Sequence, residues 1–448
     1  MSKSKVVLIA GIGMALAGAS YWAARPAPRE WSTVDPAALA ELEQGRSAME
    51  KLYHLEAVEH FRAALTHDPE FFAARIMLAE ALYSTNQPGA ANAERERALK
   101  ADPETLTPRE QRSWRLSDLR RKEKFEEVYR LLERYAEENP RDPEITRGMA
   151  QQSFGRGDLD AALKWSEATL AVARNDALSY NTLGYVEMGR GNFAAAEANL
   201  RRYAFIAPDQ ANPHDSLGEL YTVTGRWDDA ERELRRALEL NPRFFPSWDH
   251  LARVAALRGD EGAAIEATRR ALELAGVGPP KSESRVAEIR AYCALSRGDY
   301  EAIRGILAGV KEKPAIGDLA LLEAVAASAA GEVERVQTMV AEAERAFEKL
   351  PDMARKGPGR SMLDLMRVVS LLAEGKAGEA ASLAGSSEAR LSFSIEEAII
   401  KLLLRCYQVE ALDSSGQDAE ARKVLTSIEA VNPNFPCVAS CRERLDRL

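Results

Sequence analysis

The chain has 448 residues, of which 46% are hydrophobic and 29% charged, and a formal net charge of −9. That apolar fraction excludes wholesale disorder. The two charge signs are interspersed, which excludes the basic stripe expected of a nucleic-acid binder; the one compact basic run, Arg120-Arg121-Lys122, has acidic neighbours and reads as a solvated helix face.

At the amino end, Lys3 and Lys5 precede an apolar run of 19 residues, 6–24. A membrane-spanning helix needs about 20, and Tyr21 and Trp22 stand where an interfacial aromatic belt would lie. The run is expected to be an N-terminal transmembrane helix and membrane anchor over 1–24. A cleaved signal peptide is the rival, since Ala17-Gly18-Ala19 has the small-x-small form of a cleavage site. Arg25 and Arg29 weaken the charge asymmetry across the run, but Glu30 and Asp35 tip it towards a short inner tail with the rest of the chain outside the cytoplasm. Gly11, Ala15 and Ala19 form a small-residue stripe at helical spacing, which reads first as part of a small-residue-rich insertion signal, with self-association between spans as the alternative. Residues 25–37, rich in Pro and polar side chains, read as a linker.

From residue 38 a 34-residue period sets in. Ala162, Ala196, Ala230 and Ala264 are each 34 apart, as are Gly184 and Gly218, Phe193 and Trp227, Pro69 and Pro103, and Pro208 and Pro242. The register gives seven units: 38–71, 72–105, 109–142, 143–176, 177–210, 211–244 and 245–278. Its one slip is the insert Leu106-Thr107-Pro108, which reads as a helix breaker. A period of this length belongs to a stacked helical array. Gly184 and Gly218 fall mid-helix, where glycine costs about 1 kcal/mol against alanine. A cost repeated at a fixed period points to close crossing of a second helix, with Leu200 and Leu234 as the knobs. Gly191 and Gly225 end the first helix of each pair, Pro208 and Pro242 end the second, and Asn192 and Asp228 are candidate caps.

The unit 211–244, with Leu217, Gly218, Tyr221, Trp227, Ala230, Leu234, Ala237 and Pro242, resembles the tetratricopeptide repeat family. The resemblance implies an all-α, right-handed α-solenoid of stacked helix-turn-helix repeats. It also implies that the first helix of each pair lines an inner concave face that takes a protein or peptide partner. Carried onto this chain, the partner-binding positions are Arg147, Gln151, Phe154, Asn181, Tyr185, Met188, Asp215, Glu219, Thr222, Asp249 and Arg253. Their mixture of aromatic, amide and charged groups suits an extended peptide or a helix in a groove.

The period fades after Gly276-Val277-Gly278-Pro279-Pro280, but helical patterning continues. Residues 283–436 read as diverged repeats, with helices over 285–296, 300–310, 320–330, 333–349, 361–374, 396–412 and 419–431, and 437–448 as a capping helix. A separate all-helical domain is the alternative. Cys406, Cys437 and Cys441 read first as small buried packing residues, with a disulfide tying the cap to the array as the alternative; Cys293 reads as core.

No catalytic signal emerges. The chain has no phosphate-cradling loop, no His-Glu-x-x-His and no Gly-x-Ser-x-Gly. The Gly-x-Gly at 155–157 and 189–191 recurs with the repeat and reads as a helix turn. The five histidines, His54, His60, His67, His214 and His250, lack the spacing of a metal set and read as structural. No cofactor or metal is expected, and no enzyme. The expected function is that of a membrane-tethered interaction scaffold in a bacterial inner membrane, its repeats facing the periplasm. A sensor or regulatory subunit is one alternative, and a ligand or enzymatic site in the diverged half another.

Overall fold

The computed structural model describes residues 29–446, apart from Asn86, Glu312, 351–357 and 392–394. Among these residues every regular element is helical, and none is a strand. No described helix is long and apolar enough to cross a membrane, and the run 6–24, with Gly11, Ala15 and Ala19, lies outside the described residues. The chain divides into two compact units, Met1–Leu131 and Leu132–Leu448.

The first unit pairs α1 (Pro36–Glu50) with α2 (His54–His67) and α3 (Phe72–Ser84) with α4 (Pro88–Ala98), followed by α5 (Pro108–Arg121) and the start of α6 (Phe125–Glu138). Gly45 allows the first crossing: a Cβ there would lie 2.4 Å from the Phe61 ring. Leu42, Phe61, Phe71, Leu78 and Leu82 form the core around it. The insert at 106–108 proves to be a helix start. Thr107 and Glu110 make a reciprocal capping box, and Pro108 takes the first-turn position where a missing N–H costs nothing.

That cap also corrects the linker expectation. Ser32 Oγ donates to Glu110 Oε1 at 2.8 Å, and Thr107 Oγ1 donates to the Glu30 carbonyl at 2.9 Å. Trp31 is buried, with the guanidinium of Arg109 at 4.5 Å from its ring centroid and that of Arg46 at 5.5 Å. Residues 30–35 are thus pinned onto α5, and Asp35 caps α1 by accepting from the Ala38 N–H at 2.8 Å.

The second unit continues as helix pairs: α7 (Pro143–Gly155) with α8 (Leu159–Val172), α9 (Ala177–Gly189) with α10 (Phe193–Ile206), α11 (Ala211–Val223) with α12 (Trp227–Leu240), and α13 (Phe245–Arg258) with α14 (Glu261–Leu274). The predicted crossings are present. A Cβ on Gly184 would meet Leu200 Cδ2 at 2.4 Å, and one on Gly218 would meet Leu234 Cγ at 2.6 Å. The first helix of each pair ends on a left-handed glycine at 157, 191, 225 and 259, with φ of +77, +79, +71 and +76°. The predicted caps differ. Asn192 precedes α10 but its side chain makes no capping hydrogen bond, and Asp228 lies inside α12, paired instead with Arg258.

Beyond residue 278 the pairing persists through α15 (Lys281–Ser296), α16 (Tyr300–Ala308), α17 (Asp318–Ala329), α18 (Val333–Phe347), α19 (Pro358–Ala373), α20 (Ala377–Glu388), α21 (Ile395–Ser414), α22 (Asp418–Val431) and α23 (Cys437–Asp446). The turn glycine recurs at 298, 331, 375 and 416, so the pair survives while its length varies. Helix α20 went unpredicted: its sequence AGEAASLAGSSE holds a single large apolar residue and so shows no apolar stripe, and it packs by burying Ala380, Ala381 and Ala384. One apolar core runs from Met188 to Leu445, with no break at 278. Contrary to the packing expectation, Cys406 on α21 and Cys437 on α23 are joined in a disulfide, their Cα atoms 6.2 Å apart, while Cys293 and Cys441 are free and buried.

Candidate functional site on the first-helix face

The repeat places one helix of each pair on a common face, so residues about 34 apart become neighbours on adjacent helices. A continuous row of polar side chains follows. On α7, Arg147 Nη1 reaches Asp176 Oδ2 at 2.5 Å, and Phe154 lies against Tyr185 of α9 with ring centroids 6.0 Å apart. The Tyr185 hydroxyl donates to the Glu219 carboxylate and lies 3.1 Å from Ser216 Oγ; Ser216 donates to Asn181 Oδ1 at 3.0 Å.

The centre of the row is an imidazole between two carboxylates. Asp215 and Glu219 are four residues apart, hence on one face of α11, and only 3% and 5% exposed. His250 of α13 sets Nδ1 2.9 Å from Asp215 Oδ1 and Nε2 2.7 Å from Glu219 Oε1. Ser247 Oγ donates to the same Asp215 oxygen at 2.6 Å. Burial opposes charge on His250, but the two carboxylates outweigh it and raise its pKa well above 6.5. Burial, then Glu219 and Asp215, push the Tyr185 phenol up as well. One ligand atom from each of Asp215, Glu219 and His250 falls within 4.8 Å of the others, the raw material of a metal site. In the structure the ring itself stands between the carboxylates, and as imidazolium it supplies the cation they share.

The row continues with Asp249, which meets Arg285 Nη2 at 3.0 Å and Arg253 at 3.8 Å. Burial favours the neutral acid of Asp249, but Arg285, Arg253 and His250 prevail and lower its pKa. Glu288, paired with Arg285, is instead pushed up to about 7, chiefly by burial. Tyr292 bonds Asp318 at the next helix.

The predicted groove positions therefore fall into two groups. On α7 and α9, Gln151 is exposed and Arg147, Phe154, Asn181 and Tyr185 are half-buried, while Met188 is wholly in the core. On α11, Asp215, Glu219 and Thr222 are buried, and on α13 Asp249 and Arg253 are half-buried. The chain's own carboxyl-terminal part accounts for much of this. A cavity beside the cluster is walled by Glu219, Thr222, Val223, His250 and Arg253 on one side, and by Ala398, Ile399, Leu402, Asn432 and Phe435 on the other. The sequence reading missed His250 as part of the row. The available signal was its position 35 residues after Asp215, one repeat plus one residue, which puts it beside that carboxylate on the next first helix.

Residues 54–108 and residues 217–279 each match a family model described as tetratricopeptide repeat, so these stretches carry such repeats. No curated protein matches the chain. Among solved structures, it is similar to PilW, described as a widely conserved type IV pilus biogenesis factor, at 19% identity and a TM-score of 0.38 over 44% of this chain and 89% of that one. A tetratricopeptide repeat protein from Parabacteroides merdae aligns at 14% identity and a TM-score of 0.36, over 61% of this chain and 92% of its own. YrrB, described as a TPR protein with an unusual peptide-binding site, aligns at 17% identity and a TM-score of 0.30, over 40% and 89%.

Proposed function

We propose that this chain is a protein-interaction scaffold that takes an extended peptide or a helix on the α7–α9 stretch of its first-helix face. Tetratricopeptide repeats generally mediate protein–protein interactions, and nothing in the repeat matches indicates an enzymatic family. The observation that carries the reading is the contrast along the row. Gln151 is exposed and Arg147, Phe154, Asn181 and Tyr185 are half-buried on α7 and α9, whereas Asp215, Glu219 and Thr222 are buried on α11. An aromatic pair beside amide and guanidinium groups offers apolar contact area and backbone hydrogen bonding together, which an extended peptide requires.

In this reading residues 6–24 tether the scaffold to a bacterial inner membrane, with the repeats on the periplasmic side. The Cys406–Cys437 disulfide fits that side, since such bonds persist in oxidising compartments. The test uses the full chain in detergent with a photo-crosslinking side chain at position 151, incubated with envelope extract. A saturable protein cross-linked there, and competed off roughly tenfold less well by a Phe154→Ala chain, is the expected result. Saturable binding that never labels position 151 and ignores Phe154→Ala overturns it.

A further inference from the structure

The face that the repeats would offer a partner on α11 and α13 already has an occupant in this chain. Asn432 follows α22, and its side-chain amide donates to the Val223 carbonyl at 3.1 Å and lies 3.5 Å from that of Thr222. Asn434 donates to the Gly225 carbonyl at 2.9 Å. These acceptors sit at the carboxyl end of α11, where a helix leaves carbonyls without intrahelical partners. The loop 432–436 thus caps α11 from a point more than 200 residues away in the chain. Beside it, Phe435 of the loop and Ala398, Ile399 and Leu402 of α21 close over Glu219, Thr222, His250 and Arg253.

The two covering pieces, α21 and the loop leading into α23, are joined by the Cys406–Cys437 disulfide. Cys437 immediately follows the loop and is partly exposed, so a thiol can reach it. We propose that α21 and the loop 432–436 form a built-in occupant of the α11–α13 face, and that the disulfide locks it in place. The oxidised chain then offers partners only the α7–α9 stretch, and reduction extends the open face to α11 and α13. The chemistry is thiol–disulfide exchange with a dithiol. Its thiolate attacks one sulfur, the other cysteine leaves as thiolate and takes a proton, and the dithiol closes to its own disulfide as the second cysteine is released. This rests on the reading of the first-helix face as the binding face, but the docking of the loop is measurable without any partner.

Hydrogen exchange of the full-length protein, oxidised and after dithiothreitol, reads it directly. Expected on reduction is roughly tenfold faster exchange in segments 219–226 and 432–438, with 143–206 unchanged. Asn434→Ala, an exposed substitution that spares the core, should give part of that acceleration in the oxidised chain. A Cys406→Ser/Cys437→Ser chain should behave as reduced under both conditions. Unchanged exchange once mass spectrometry shows both thiols free overturns the lock. Acceleration spread evenly over 143–446 also overturns it, because the disulfide would then only stabilise the unit as a whole. If exchange responds as expected but no partner labels position 151, the proposed function fails while the clasp stands.

Discussion

Asn432 and Gly225 meet although they are far apart in the chain: a Cβ built on Gly225 would lie 2.2 Å from Asn432 Oδ1. Gly225 is constrained twice, by φ of +71° and by this contact. Gly157 holds the equivalent turn between α7 and α8 with φ of +77° but has nothing within 4 Å of the same point. Gly157→Ala should therefore cost only the left-handed backbone penalty, roughly 1–2 kcal/mol. Gly225→Ala should cost that plus the displaced Asn432 hydrogen bond, about 1–3 kcal/mol more. Urea midpoints of the two variants check this, and equal losses would mean that the loop does not rest on the turn.

Gly218 and Gly148 give a second paired comparison, this time of opposite sign. Both lie inside first helices, where alanine is preferred by about 1 kcal/mol. At Gly148 the space is open, and Gly148→Ala should raise stability by roughly 0.5–1 kcal/mol. At Gly218 the Leu234 side chain fills the position, and Gly218→Ala should lower stability by about 1–3 kcal/mol through overpacking. Leu234→Ala in the Gly218→Ala background should cost less than the sum of the two single changes, since the clash is then gone. Additive losses would place the two side chains out of contact.

The same glycines show how much could be read from the chain alone. A residue that is costly locally and recurs at a fixed period has a tertiary cause, so Gly184, Gly218 and their leucine partners were legible. The turns at Gly191 and Gly225 were legible for the same reason. What escaped was whatever the period does not encode. The docking of Asn432 on α11 joins the diverged half to the regular one, and nothing local at 432 announces it. The pairing of Cys406 with Cys437 depends on where α21 and α23 meet, which spacing along α23 leaves open between Cys437 and Cys441. The Asp215–Glu219–His250 cluster was half legible: the carboxylates were placed on the right face, but they were read as open to a partner. Helix α20 lacked a strong signal because its buried residues are alanines, whose contribution appears only once neighbours pack on them.

His250 carries the charge balance of that cluster. His250→Ala leaves Asp215 and Glu219 buried without their cation and should destabilise the second unit by about 3–5 kcal/mol. The pH dependence has a definite sign. The folded-state pKa of His250 is raised, so the stabilisation is fully present below the unfolded value of 6.5 and is lost as pH rises through the folded value. An NMR titration of the ring nitrogens should find His250 still doubly protonated at pH 6.5, where a free imidazole is half neutral. A neutral ring there would remove the imidazolium from the account of the cluster.

His54 should act with the opposite sign, in the first unit. Its Nδ1 is buried without a hydrogen-bond partner, and burial lowers its pKa from 6.5 to about 4. Between these values the unfolded chain binds the proton more readily than the folded one, so stability falls as the solution is acidified through that window. The full depression corresponds to at most about 3 kcal/mol, complete near pH 4. His54→Phe keeps an aromatic ring of similar girth and removes the titration. Hydrogen exchange over α1 to α3, corrected for the intrinsic pH effect, should accelerate between pH 6.5 and 4.5 in the parent and much less in the variant. Equal acceleration in parent and variant would trace the acid sensitivity of the first unit to its carboxylates instead.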